Sequence, residues 1–508
     1  MKRFLLIITI ILISFLVGCS QPGNKKPAPA GSGTPEPTAT TVATPSPTTK
    51  EEAGELFSKM LAEALKNEDP GKLKEMIEYM PDIVRMRDKE GMTLLMYINT
   101  PEMAEVVVKK KGFIDLPNKF GATPLMVHAG KGNLEMVKFL IENNAKVNSI
   151  DKDGNTAVAM AAFGGHPDVI KYLMKKGAKI DTINNKKFTP VHAAVHSENL
   201  PTVKLLVESG LKVEGEPGTV QPMHLAAKKG SLDIIKYLEE KGAGLNVKDV
   251  KGGKPIHNAA FQGHIHILDY LVSKGISVEE PDDEGTVPMH YAAWNSQTAV
   301  CRWLVEKGAS VKTANRKGGT PLHSASIVGH SRVSDFLISK GADVNAIRKD
   351  TGKTPLHIAA KNPSIKLMKI LLENGAVVNI QDKEGNTPLH IVSRSSKAQS
   401  LEAAQLLFEN GAKMIKNNKG HFPLHMAAYV GNNKLVELFL EKGTDINATD
   451  NDGNTPLHMA VTRDKTTTVD LLAQKGAKLD IKNNDGLTPK EFAEKYDSKQ
   501  SATMLDVK

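Results

Sequence analysis

Two kinds of apolar segment alternate along most of this chain. One is short and rich in alanine, as in Leu356-His357-Ile358-Ala359-Ala360 or Leu225-Ala226-Ala227. The other carries an aliphatic stripe, as in Val169, Ile170, Leu173 and Met174 or Ile370, Leu371 and Leu372. Apolar residues at such spacing share one face of a helix. Polar punctuation separates the segments. In Asp382-Lys383-Glu384-Gly385-Asn386 the glycine supplies the permissive backbone of a turn. Thr387-Pro388 then starts a helix, with proline in the first turn, where a missing amide proton costs little. The second helix of a unit ends at a sequence such as Asn374-Gly375-Ala376, whose glycine can take the left-handed, helix-ending conformation. The pattern predicts helix–turn–helix units joined by polar turns.

The quartet Thr387-Pro388-Leu389-His390 marks the beat of these units. Equivalent quartets begin at Thr93, Thr123, Thr156, Thr189, Gln221, Lys254, Val287, Thr320, Thr354, Phe422, Thr455 and Thr488, most often 33 residues apart. A fixed period of this length predicts a stack of units, each unable to bury its apolar face alone. One solenoid over residues 93–487 is therefore expected, although 508 residues would ordinarily suggest several domains. Upstream, Leu56, Met60, Leu61, Ala64 and Leu65, then Leu73, Met76 and Ile77, predict two helices of a degenerate capping unit over residues 51–92. Thr488-Pro489-Lys490-Glu491 opens a closing half-unit, residues 488–508, with charges on its outer side. Some units depart from the pattern. Thr93-Leu94-Leu95-Met96 and Thr156-Ala157-Val158-Ala159 lack proline and histidine, and Lys186-Lys187 replaces the turn glycine. The turn at Val213–Gly218 is irregular, and extra residues lengthen the connection between Ser393 and Glu402.

The pattern Asp-x-x-Gly-x-Thr-Pro-Leu-His-x-Ala-Ala, followed by Gly-Ala-x-Val-Asn, resembles the ankyrin repeat. Asp450 to His458 and Gly341 to Asn345 match it nearly letter for letter. The resemblance covers about residues 55–500. It implies an all-α repeat: paired antiparallel helices, projecting hairpin-like loops, and a curved solenoid whose loops and first helices line a concave surface. It also implies that the quartet histidines form hydrogen bonds that hold neighbouring loops.

The amino terminus follows a different plan. Lys2-Arg3 precede an apolar run from Phe4 to Val17, shorter than the roughly 20 residues of a spanning helix and shaped like an export signal. Leu16-Val17-Gly18-Cys19 resembles the lipobox of bacterial lipoproteins. That resemblance implies removal of residues 1–18 and lipidation of Cys19, hence anchoring to a membrane of the bacterial cell envelope with the solenoid on the non-cytoplasmic side. Residues 19–50, rich in proline and threonine, cannot bury enough apolar surface to order themselves and read as a tether.

Composition and charge narrow the function. With 40% hydrophobic and only 5% aromatic residues, the chain suits a helical repeat better than a barrel or sandwich enzyme. Of the net charge of +9, residues 1–50 hold +4, from five cations against Glu36, which leaves +5 for residues 51–508. No long basic face is indicated, and export also argues against nucleic acid. Cys301 falls where other units have aliphatic residues and reads as core. Nine of the sixteen histidines occupy the quartet, and His166, His264 and His330 fall in Gly-His turns between helices. His192 and His196 could share a helix face, but no carboxylate completes a His-Glu-x-x-His metal motif. Gly352-Lys353-Thr354 lacks the first glycine of a phosphate loop, since Ile347 stands in its place. Neither an enzyme nor a cofactor or metal site is expected.

The resemblance leaves certain positions free for binding: residues late in each first helix and the loop tips. Seven residues after the quartet's start, the units from Thr156 onward carry Phe163, His196, Lys228, Phe261, Trp294, Ile327, Lys361, Arg394, Tyr429, Thr462 and Lys495. Phe261, Trp294 and Ile327 belong to consecutive units and form a candidate hot spot. Phe163 and Tyr429 are further candidates, with Lys251, Asp283, Glu284, Arg316 and Lys317 as a polar rim of mixed sign. The expected function is a non-enzymatic, envelope-anchored scaffold that binds a protein or peptide. A structural or adhesive protein holding a cell-wall polymer is the alternative, because aromatic strips also stack on sugars. A histidine-dependent metalloenzyme is the most distant reading.

Overall fold

The computed structural model describes residues 60–506. The lipobox-like stretch ending at Cys19, the expected tether and the first part of the predicted cap lie outside the described residues. Among the described residues every regular element is helical, and helices alternate in the predicted pairs from Pro124–Lys131 and Leu134–Glu142 to Pro456–Val461 and Thr466–Gln474.

One unit shows how the sequence builds all of them. Thr354 is extended, with φ −92° and ψ 168°, and Pro355 opens the first helix, Pro355–Lys361. The second helix, Ile365–Glu373, stops at Asn374, and Gly375 follows with φ +85°. Leu356, Ala359 and Ala360 of the first helix are buried, as are Leu367, Met368 and Leu371 of the second. Each first helix packs on its own partner and on the first helices of the units before and after it. Alanine makes that row the tighter one, because a small side chain lets backbones approach. The looser row of second helices is filled by large rings at one register, Tyr237, Tyr270, Trp303 and Phe336. Each ring lies beneath a cation. Lys204 is 5.6 Å from the centre of Tyr237, Lys236 5.6 Å from Tyr270, Lys307 5.7 Å from Trp303 and Arg302 5.3 Å from Phe336.

The loops are held by a side chain. Asp382 Oδ1 accepts the amides of Glu384 and Asn386, each at 2.9 Å. Asp151, Asn315 and Asp450 repeat this geometry. Adjacent loops are then tied backbone to backbone. Lys383 N donates to Thr351 O at 3.0 Å and Asn418 N to Glu384 O at 3.1 Å. The irregular loop at residues 213–220 is held differently. Lys187 pairs with Glu216 at 3.3 Å, and the Gln221 amide gathers Gly215 N, Glu216 O and Thr219 O. Lys187, where other loops have glycine, sits at φ +65°, a conformation that costs a side-chain-bearing residue roughly 1–2 kcal/mol.

The quartet histidine connects one unit to the next. In nine successive units, from His192 to His458, its Nδ1 accepts the amide of the quartet's first residue at 3.0–3.3 Å. An amide can only donate, so Nδ1 is bare and the proton sits on Nε2. From there it is donated to the carbonyl just before the next quartet: Val220, Gly253, Thr286, Gly319, Lys353, Asn386, His421, Asn454 and Leu487, at 2.9–3.2 Å. This is a capping box with imidazole in place of the usual glutamate. The last quartet, at Thr488, has glutamate in that place. Glu491 accepts the Thr488 amide at 2.8 Å, and a carboxylate has no proton to offer a further unit.

Burial pushes these imidazoles down, to about 4 for His192, His323, His390 and His425, and below the ordinary histidine value for His224, His257, His290, His357 and His458. Above pH 6.5 both folded and unfolded chains keep them neutral. As pH falls from 6.5 toward 4 the unfolded chain gains protons that the folded chain refuses, so stability is lost, by about 1.4 kcal/mol per pH unit for each histidine in an unfolding segment. The urea midpoint, followed by helical circular dichroism, is expected to fall steadily between pH 7 and 4.5. A midpoint that stays level over that range would contradict the neutral-imidazole links.

Candidate binding surface

The helices Pro255–Gln262, Pro288–Trp294 and Pro321–Val328 carry Phe261, Trp294 and Ile327 at equivalent positions near their ends. Hydrogen bonds from the following unit fix that register. The carbonyl of Phe261 accepts from Asn295 Nδ2 at 2.7 Å, and that of Trp294 from His330 Nε2 at 3.1 Å. The same bond one unit earlier joins Lys228 O to His264 Nε2 at 3.0 Å. It also explains a glycine. Gly230 has φ +78°, and a Cβ there would stand 2.8 Å from the His264 ring.

Trp294 is 44% exposed, while Phe261 and Ile327 are half-buried. The strip is wider than the sequence reading made it. Val328 beside Ile327 is exposed, and Tyr291 lies one helical turn before Trp294, its hydroxyl donating to Asp282 Oδ2 at 2.9 Å. The i, i+3 neighbour rule for helices would have found Tyr291.

The other predicted residues are placed apart from this strip. Phe163 stacks on His196 of the next unit, ring centres 4.5 Å apart, and Arg463 lies 4.5 Å above the Tyr429 ring. The rim charges pair across loops. Lys317 lies 3.3 Å from Glu284, and Asp283 lies 2.9 Å from Lys248. Arg316 N donates to Glu284 O at 2.9 Å, and Asp283 N to Lys251 O at 3.3 Å. Exposed pairs of this kind are worth about 0–1 kcal/mol, so a partner can exchange them at little cost. His192 has both ring nitrogens engaged, with Thr189 and Val220, which leaves no lone pair for an ion. Cys301 is buried, and burial pushes its thiol up to about 12.

The helix that carries Phe261 has an unusual foundation. Lys254 stands where most units have threonine, buried at the helix start, and its ammonium pairs with Glu280 of the following turn. A cation opposes the positive end of the helix dipole, so the carboxylate is needed there. Burial pushes Glu280 up, but its bonds to Lys254 and Asn246 outweigh this and hold it below the usual glutamate value. Glu280→Ala should destabilise the array by about 3–5 kcal/mol, because it strands a buried ammonium. Lys254→Thr added to it should restore most of that loss. Denaturation of the single and double variants checks this, and additive losses would refute the coupling.

Comparison with known proteins agrees with this geometry. The sequence model of the family described as ankyrin repeats (3 copies) matches overlapping stretches that begin with residues 60–151 and end with 424–505, covering the described array. The human transient receptor potential cation channel subfamily A member 1 is 34% identical over 18% of this chain and 8% of its own length. A putative ankyrin repeat protein of Fowlpox virus is 32% identical over 19% of this chain and 68% of its own length. One from Rickettsia felis is 30% identical over 20% of this chain and 34% of its own length. The chain thus spans only a small part of the channel, and the matched parts are repeats. Proteins built of such repeats are generally non-enzymatic scaffolds that mediate protein interactions. With the matched stretches covering most of its length, the chain belongs to the ankyrin repeat family.

Proposed function

We propose that this protein is a non-enzymatic scaffold, lipid-anchored through Cys19 in the bacterial cell envelope, which takes up a protein or peptide partner on the face lined by its first helices. The observation that carries the binding site is the row Phe261, Trp294 and Ile327, where three consecutive units present large apolar groups to solvent. The packing of the stack does not require them. Equivalent positions in other units hold Lys361 and Arg394, both exposed, in the same helical frame. Large rings at a rigid surface lose little entropy on binding and release the water over them. Mixed charges at the rim suit a polypeptide surface.

The anchor rests on Leu16-Val17-Gly18-Cys19, and the proline-rich residues 19–50 set the reach, on the order of 90 Å if fully extended at about 3.1 Å per residue. Cys19→Ala is expected to lose palmitate labelling and to leave the membrane fraction. Continued labelling of the variant would exclude this anchor. Crosslinking in intact cells tests the surface. Replacing Phe261, Trp294 and Ile327 together by alanine should reduce capture of the crosslinked polypeptide about tenfold or more, as expected for hot-spot residues, with the helical signal unchanged. Undiminished capture, or attachment to wall polymer alone, would refute the surface assignment.

A further inference from the structure

Charge is sorted between the two rows of helices. From Leu134–Glu142 to Thr466–Gln474, each second helix carries at least one aspartate or glutamate. From Pro124–Lys131 to Pro456–Val461, no first helix carries one. The helix dipole does not account for this. It disfavours acids at a helix C-terminus, yet Glu142, Glu208, Glu240, Glu306, Glu373, Glu409 and Glu441 each close a second helix. The turns that follow the first helices are equally free of carboxylates between Gly230 and Gln399. Cations are present there. Lys228 and Lys229 end the helix one unit before Phe261, and Lys361 ends the helix one unit after Ile327, with Arg394 one unit further on. Lys229 reaches Glu198 at 3.5 Å, an exposed contact from the preceding turn. Partial burial and Lys229 beside it hold the Lys228 ammonium below the ordinary lysine value.

We infer that the occupant of this face is an acidic polypeptide segment, with an apolar core seated on Phe261, Trp294 and Ile327 and carboxylates on both sides meeting Lys228 and Lys229 at one end and Lys361 and Arg394 at the other. This rests on the reading of the apolar strip as the binding site. Packed helices lie about 9 Å apart, so Lys228 and Lys361 are separated by about four such steps, which an extended chain of about eleven residues spans.

The test uses the full chain as bait and a displayed library of random 12-residue peptides as probe. Recovered peptides should be enriched in aspartate and glutamate around an apolar centre. A synthetic copy of the dominant peptide should bind about tenfold or more weakly to Lys228→Glu/Lys229→Glu and to Lys361→Glu/Arg394→Glu, since the loss of opposite charges across an interface becomes repulsion. The milder Lys228→Gln/Lys229→Gln, with the helical signal of every variant compared, guards against misfolding. Weakening with salt should accompany this. Peptides that require Trp294 but are not acid-rich, or that ignore the charge reversals, would overturn the acidic partner and leave the strip standing. Peptides indifferent to Trp294→Ala, or no enrichment, would overturn the strip and this inference together.

Discussion

An imidazole with one bare nitrogen and one protonated nitrogen is the element on which the array from residue 189 to residue 488 depends. It satisfies the first amide of its own helix and reaches the carbonyl that precedes the next one. The amide is a group that a helix start would otherwise leave buried without a partner, a vacancy that costs about 1–3 kcal/mol, while the carbonyl also accepts an amide of its own loop, as Asn386 O does from Asp382 N at 2.9 Å. Local helix formation and stacking are therefore coupled. A helix lacking its neighbour leaves Nε2 without its acceptor, and a loop lacking the preceding helix keeps only the amide donor of its own turn. The apolar faces add strength, with alanines drawing first helices together and cation-covered rings filling the wider spaces between second helices.

What repeats was legible in the sequence, because a period reports every interaction that is made again in each unit. Threonine and proline announced the helix starts, glycine the turns, and the histidines their place between loops. The strip residues emerged from the same frame by asking which positions the frame leaves free. What is made once was not legible. Lys254 read only as one more quartet start, since its partner Glu280 lies 26 residues away. The stacking of Phe163 on His196 and the covering of Tyr429 by Arg463 likewise depend on two non-repeating residues meeting across a unit boundary. The mixed signs of the rim were visible, but not that Lys317 and Glu284 answer each other from adjacent loops.

These differences change how the surface is understood. A rim of unpaired charges would have made the loop tips the main determinants of recognition. With the loops tied to one another, the proposed recognition features lie further in, at the ends of the first helices, where the stacking bonds to Phe261 O and Trp294 O set the spacing of the side chains. The proposed surface is preorganised by the same bonds that hold the units together, which would limit the entropy lost on binding.

Glu491 gives this arrangement a direction and an end. Copying an internal unit would supply one more donor and one more carbonyl, and the count of protons and lone pairs would still balance. Glu491 makes no such link onward, because its carboxylate closes its own helix and has no proton to offer. The histidine relay thus has a last member, while stacking itself does not need one: Met96, Met126 and Ala159 hold the same place in units whose first helices still pack on the next.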